Sequence, residues 1–117
     1  MIDNGEKIES SIRRALALLE GLSRLKEDQW DISAYKKALL CRMEIQYSMA
    51  VMRLKTNDPR RTTARSKIDA HGAVQLLKSL LATPPSERTL DSLSQVDLFL
   101  GKVILLMRRR LDRKFKV

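Results

Sequence analysis

Aromatic residues make up only 4% of this chain, and its 117 residues include one cysteine, one histidine, three prolines and four glycines. Each scarcity removes a class of protein. Strand-rich domains draw on aromatic and β-branched side chains and need frequent turn residues, so a sandwich or barrel is not expected. The single cysteine, Cys41, permits no intrachain disulfide, and a reducing cytoplasm is the expected setting. With His71 the only histidine, neither a zinc site nor a Cys–His catalytic pair with an orienting partner is well supplied. The first ten residues, MIDNGEKIES, lack the basic-then-apolar layout of a secretion signal. The longest apolar stretch, Val96 to Met107, is broken by Asp97 and Lys102, which makes it too short and too charged to span a bilayer. There is no glycine-rich phosphate loop and no regular carboxylate constellation. No catalytic, cofactor-binding or metal-ligating residue is therefore assigned, and the chain reads as a non-enzyme.

What is abundant is helix-forming material. Apolar residues make up 44% of the chain and charged residues 32%, with Leu, Ala, Met, Arg, Lys and Glu prominent, all good helix formers. The length suits one domain covering residues 1–117. The spacing predicts helices over about 4–26, 32–56, 59–82 and 87–113. In the first, Asp3 and Glu6 fit a capping box, and Ile8, Ile12, Ala15, Leu16, Leu19 and Leu22 form one buried stripe. Asn57, Asp58 and Pro59 mark the break before the third helix, whose stripe is Ala70, Ala73, Val74, Leu77, Leu80 and Leu81. Thr83-Pro84-Pro85-Ser86 ends it. Leu93, Val96, Leu100, Val103, Met107 and Leu111 follow near-heptad spacing in the fourth, widened by Phe99, Ile104 and Leu106. Short connections between long helices lead to an all-α, antiparallel up-down-up-down four-helix bundle.

The second helix departs from the one-stripe rule. Ala38, Cys41, Ile45, Met49 and Met52 form one apolar face, and Leu39, Met43, Tyr47, Ala50 and Leu54 form another. Arg42, Gln46 and Arg53 lie between them, while Lys37, Glu44, Ser48 and Lys55 form the side expected to face solvent. On the fourth helix Leu98 and Leu105 sit one heptad apart, off the main stripe. A helix apolar on two sides is either central in its own bundle or pressed against another chain. Four helices have difficulty hiding two doubly apolar members, so a homodimer through the surplus faces of helices 2 and 4 is expected. Its candidate surface is Leu39, Met43, Tyr47, Leu54, Leu98 and Leu105.

The positive charge is unevenly placed. The formal net charge is +9, with a net of −2 over Met1–Asp31 and +11 over Ile32–Val117. Such a field attracts polyanions. Arg108, Arg109, Arg110, Arg113, Lys114 and Lys116 crowd the basic tail, residues 108–117, beyond what a helix dipole needs from its C-terminal cations. A second cluster, Arg60, Arg61, Arg65 and Lys67, precedes the third helix. On a continuous helix Arg60 and Lys67 would align with His71 and Lys78, although the solvated side of an ordinary amphipathic helix looks the same. No base-stacking aromatics are interleaved with this charge, and no helix-turn-helix turn is legible. If nucleic acid is a partner, contacts to phosphates without sequence specificity are expected. A membrane-surface role for Ile104–Val117 is the weakest of the readings. Cys41, on an apolar face, reads as an inert core residue, and Glu44 and Asp97 each have a basic partner within reach. The functional expectation is thus a helical interaction, adaptor or regulatory protein, with a nucleic-acid-binding accessory protein as the alternative.

Overall fold

Among the described residues four α-helices form: α1 over Asn4–Ser23, α2 over Ile32–Thr56, α3 over Ala70–Ala82 and α4 over Leu90–Phe115, with a 3-10 turn, Glu27–Gln29, between α1 and α2. These come from a computed structural model that describes residues 4–56, 68–84, 87, 88 and 90–115, with side chains at 6–52, 68–84, 87, 88 and 90–113. Among the described residues there is no strand.

The helix ends follow from local hydrogen bonding. Asp31 opens α2, its Oδ1 accepting from the Ala34 N–H at 2.8 Å, which satisfies one of the free donors of the first turn. Asp69 does the same for α3 through the Gly72 N–H, also at 2.8 Å. Among the described residues the third helix starts at Ala70, where Asp69 satisfies the Gly72 N–H and Ile68 and Asp69 are themselves outside the helix; the expected start at Pro59 lies outside the described residues. The Asp58–Pro59 signal, and the capping residue Asp3, lie outside the described residues. At the other end of α3, Arg88 reaches back across the turn. Its Nε donates to the carbonyls of Leu80 and Thr83, and its Nη2 to that of Leu81. One side chain thereby satisfies the carbonyls that a helix C-terminus leaves open. α1 stops at Ser23, short of the expected Lys26. Its Ser23 hydroxyl donates to the Glu20 carbonyl, and Gln29 Oε1 accepts from the Lys26 N–H, which turns the chain into the 3-10 segment.

The buried stripes are those that the periodicity gives. Ile12 and Leu19 of α1, Ile45 of α2, Leu77 of α3, and Leu93, Val96 and Leu100 of α4 are essentially removed from solvent, and they belong to one cluster. A smaller cluster closes one end, built on Leu22, Ala34, Ala38 and Met107, with Leu25, Trp30, Tyr35, Val103 and Ile104 packed around it. Leu106 does not widen the buried stripe of α4 as expected and is 44% exposed.

The order of neighbours differs from the expected one. The packed pairs are α1 with α2, α1 with α3, α2 with α4, and α3 with α4. α2 and α3, consecutive in sequence, stand on a diagonal. Their senses follow from the residues that meet. Cys41 contacts Ala15 while Ala34 and Ala38 meet Leu22, so α1 and α2 are antiparallel. Arg42 meets Asp97 while Ala34 and Ala38 meet Met107, so α2 and α4 are antiparallel too. Ala70, the first residue of α3, lines the same small cavity as Leu22, Trp30 and Met107, which places the start of α3 where α1 ends. α2 and α3 consequently run in the same sense. The strict up-down-up-down alternation is corrected to an up-down-down-up arrangement, in which the end of α2 and the start of α3 lie at opposite ends of the bundle. The physical reason is the long interval of 13 residues between these helices, enough chain to return along a bundle of this length.

Candidate interaction surface

α2 decides which surface the molecule presents. Its inward side carries Ala34, Ala38, Cys41, Ile45, Met49 and Met52, all buried. The side toward α1 is also closed. Ser48 is fully buried with its Oγ donating to the Glu44 carbonyl at 3.0 Å. Glu44 is half-buried and accepts from Arg14 Nε at 3.1 Å. Ser11 and Ala15 of α1 are fully buried opposite. The expectation that Glu44 and Ser48 face solvent is corrected. Small side chains let α1 approach closely, and the Ser48 hydroxyl is satisfied by its own helix, so its burial leaves no unpaired polar group.

The outward side of α2 is the second apolar face. Met43 is 64% exposed, and Ile32, Leu39, Leu40 and Tyr47 are also exposed, as is Ala50. Lys36 is exposed among them. At about 100° per residue these positions centre opposite the buried stripe. On α4, Leu98 and Leu105 are exposed in turn. Of the expected surface residues, Leu39, Met43, Tyr47, Leu98 and Leu105 are thus all exposed, while the Leu54 side chain lies outside the described ones. Ile32 and Leu40 belong to the same face and were not singled out by sequence. The signal was present: at about 100° per residue Ile32 falls within the arc that Leu39, Met43 and Tyr47 define, and Leu40 lies just beyond its edge.

A polar contact joins the two helices beneath this face. Arg42 Nε donates to Asp97 Oδ1 at 3.0 Å, and Gln46 Nε2 donates to the same oxygen at 3.3 Å. The Arg42 guanidinium lies across α4 at Gly101, where an added Cβ would stand 3.1 Å from Nη2. Glycine at 101 gives the arginine room to cross. Because Arg42 reaches both Asp97 and Gly101, Met43 and Leu98 stand at about the same height along the bundle. Both carboxylates expected to find basic partners do so, Glu44 with Arg14 and Asp97 with Arg42.

The basic tail resolves into two roles. Arg110 is held within the fold: Nη1 donates to the Glu27 carbonyl at 2.9 Å, Nη2 pairs with Glu27 Oε2, and the guanidinium lies 5.5 Å from the centroid of the Trp30 ring. Such a cation over an indole is attracted by the ring's electron-rich face. Arg110 ties α4 to the 3-10 turn and is less available to an external anion than its neighbours. Arg108, Arg109 and Arg113 are exposed and make no ion pair with another described residue. The side chain of Lys114 lies outside the described side chains, as do Arg60, Arg61, Arg65 and Lys67 with their backbone. His71 and Lys78 are exposed on α3.

Cys41 is buried, and its Sγ–H donates to the Ala15 carbonyl at 3.3 Å. Burial, and secondarily the nearby Glu44 charge, push its pKa up to about 12. It is a thiol and not a thiolate at neutral pH, so it lacks the ionised form that nucleophilic chemistry needs. Among the described residues, no three His, Cys, Asp or Glu side chains gather as a metal site would require. The cavity near Trp30, lined by Leu19, Leu22, Phe99 and Met107, has a volume of about 70 Å³ and is mainly apolar. No described helix is long and apolar enough to cross a membrane.

Comparison with known proteins leaves the surface to be interpreted on its own terms: no family model, no curated protein and no solved structure matches this chain significantly.

Proposed function

We propose that this chain is a non-enzymatic interaction protein, an adaptor or regulatory partner, whose working surface is the apolar outer face of α2 with Leu98 and Leu105 of α4, and that it acts as a homodimer. The carrying observation is Met43, 64% exposed at the centre of a face that also exposes Leu39, Leu40 and Tyr47. Scattered surface leucines are ordinary, but a contiguous apolar patch along a helix marks a contact surface. Methionine at its centre suits an adaptable contact. Static light scattering over a wide concentration range tests the proposal. The expected mass is that of a dimer, returning toward the monomer on dilution and shifted strongly to monomer by Met43→Glu. A wild-type monomer at every concentration, or a dimer indifferent to Met43→Glu, overturns it.

A second reading is favoured by a separate observation, the exposed Arg108, Arg109 and Arg113, which make no ion pair with another described residue. In that reading the chain is a nucleic-acid-binding accessory protein that contacts phosphates through these residues, together with Lys114 and the 60–67 cluster. Neutralised phosphates release counterions, so any complex weakens steeply with salt. A gel shift at low salt with duplex, single-stranded DNA and RNA decides it, and the absence of any complex removes this reading.

A further inference from the structure

The outer stripe of α2 has an internal symmetry that names its occupant. Lys36, Leu39, Met43, Tyr47 and Ala50 follow steps of three, four, four and three residues. Read backward from Ala50, the steps are the same as those read forward from Lys36. Ile32 lies four residues before Lys36, and Leu54 four residues after Ala50, which continues the symmetry in sequence. The repeat is eleven residues, or about 3.67 per turn, close to the 3.6 of a straight helix, so the stripe runs nearly parallel to the helix axis.

We infer that the partner on this face is a second copy of the chain, docked with the two α2 helices antiparallel about a two-fold axis passing beside Met43. The inference rests on the proposal that the face is a protein–protein contact. In this arrangement Met43 meets the partner's Met43, Leu39 meets the partner's Tyr47, and Lys36 meets the partner's Ala50. A two-fold contact must be self-complementary, each residue facing the counterpart of its own counterpart, and the spacing meets that condition. The large side chains meet in the middle, and the small Ala50 leaves space for the aliphatic stem of Lys36, whose ammonium can reach solvent.

Charge separates this arrangement from its parallel rival. In a parallel pair Lys36 would face the partner's Lys36, placing two like charges together at a drying contact. In the antiparallel pair these two ammonium groups are seven residues on either side of the axis, roughly 21 Å apart along the helices. That exceeds the screening length of about 8 Å at physiological salt. The available area is also sufficient. The exposed side chains of α2, with Leu98 flanking at the height of the axis and Leu105 two turns further along α4, expose roughly 600 Å² per copy. Two copies can therefore bury at most roughly 1,200 Å², which reaches the lower end for specific stable interfaces.

Site-directed cross-linking of the full chain tests the geometry. The native thiol is first replaced, Cys41→Ala, and single cysteines are then introduced at exposed positions of α2. Under mild oxidation or a short bismaleimide, Met43→Cys is expected to yield linked dimer as the main product. A mixture of Leu39→Cys with Tyr47→Cys chains is expected to yield a heterologous link, and Lys36→Cys is expected to stay unlinked. Met43→Glu should raise the dimer dissociation constant at least about a hundred-fold, because it places two carboxylates at the axis. Its circular dichroism and melting as a monomer should be unchanged. Efficient linking of Lys36→Cys, with or without linking at Met43→Cys, overturns the antiparallel axis. A dimer lost in Met43→Glu but unlinked at Met43→Cys refutes this geometry while leaving the face reading intact. A wild-type monomer, or a dimer indifferent to Met43→Glu, refutes both.

Discussion

The two apolar sides of α2 differ in size more than in polarity. The inward side uses Ala34, Ala38 and Cys41 along its first half, with Ser48 beside it, and all are buried. The outward side carries Leu39, Leu40, Met43 and Tyr47, all exposed. Hydrophobicity alone would send the larger set to the core. Shape decides otherwise where α1 brings Ser11 and Ala15 to the contact, also fully buried: small side chains meet it there, while Ile45, Met49 and Met52 fill the rest of the inward side. Interiors are packed nearly as densely as organic crystals, so volume complementarity outranks total apolar area in choosing which face turns inward.

The largest effect that could break this comparison lies in neighbouring residues of opposite fate. Ile45 is fully buried and Met43 is mostly exposed. Ile45→Ala should cost about 2–5 kcal/mol in urea unfolding, through lost burial and the cavity left behind. Met43→Ala, measured at concentrations where the chain is monomeric, should stay within about 0.5 kcal/mol. Equal losses at the two sites would mean that the outward face is packed within one copy.

The buried thiol gives the next largest effect. Cys41 has its pKa raised from 9.0 to about 12. The folded state keeps its proton at pH values where the unfolded chain has released it. Stability from this group is complete below pH 9, then falls as pH rises, by up to about 1.4 kcal/mol per unit, until the folded thiol itself ionises near pH 12. Other groups also titrate there, so the measurable quantity is the difference between wild type and Cys41→Ala. That difference should slope downward for the wild type between pH 9 and 12 and be flat below. A flat difference throughout would place Cys41 in a solvated setting and undo the close α1–α2 contact.

Gly101→Ala sharpens the outer side. Its new methyl would approach the far end of the Arg42 side chain at 3.1 Å, and that flexible end can move. The expected loss is on the order of 1 kcal/mol, from a weakened Arg42–Asp97 hydrogen bond and against a small gain in helix propensity. If the same change also loosens the dimer, the α2–α4 clasp sets the height of Leu98 beside Met43.

Most helices and their buried stripes were legible because an apolar period near 3.6 survives in sequence wherever one side is covered. Ile12, Leu19, Ile45, Leu77 and Leu100 illustrate it. The exposed Leu39, Met43, Tyr47, Leu98 and Leu105 were legible as surplus. Three features were not. The order of helix neighbours leaves no trace in a single helix's periodicity, since a stripe records that something covers it and not which helix does. The polar side of α2 was misread because Ser48 satisfies its hydroxyl within its own helix, which no spacing rule reveals. Arg110 is indistinguishable in sequence from Arg108 and Arg109, and only the approach of Glu27 and Trp30 sets it apart.

The smallest expected effect tests the polar edge of the same α1–α2 contact. Arg14 and Glu44 pair at 3.1 Å, with side chains 59% and 26% exposed. A double-mutant cycle with Arg14→Ala and Glu44→Ala should give a coupling of only about 0.2–1 kcal/mol, because water screens such a pair and two side chains must be held in one geometry. The coupling should shrink in 0.5 M salt. A much larger, salt-insensitive coupling would mean that the edge is drier than its exposure indicates. The contact between α1 and α2 would then be held by its ion pair as much as by the close fit of Ser11, Ala15, Cys41 and Ser48. Size would no longer explain by itself why α2 turns its small side inward.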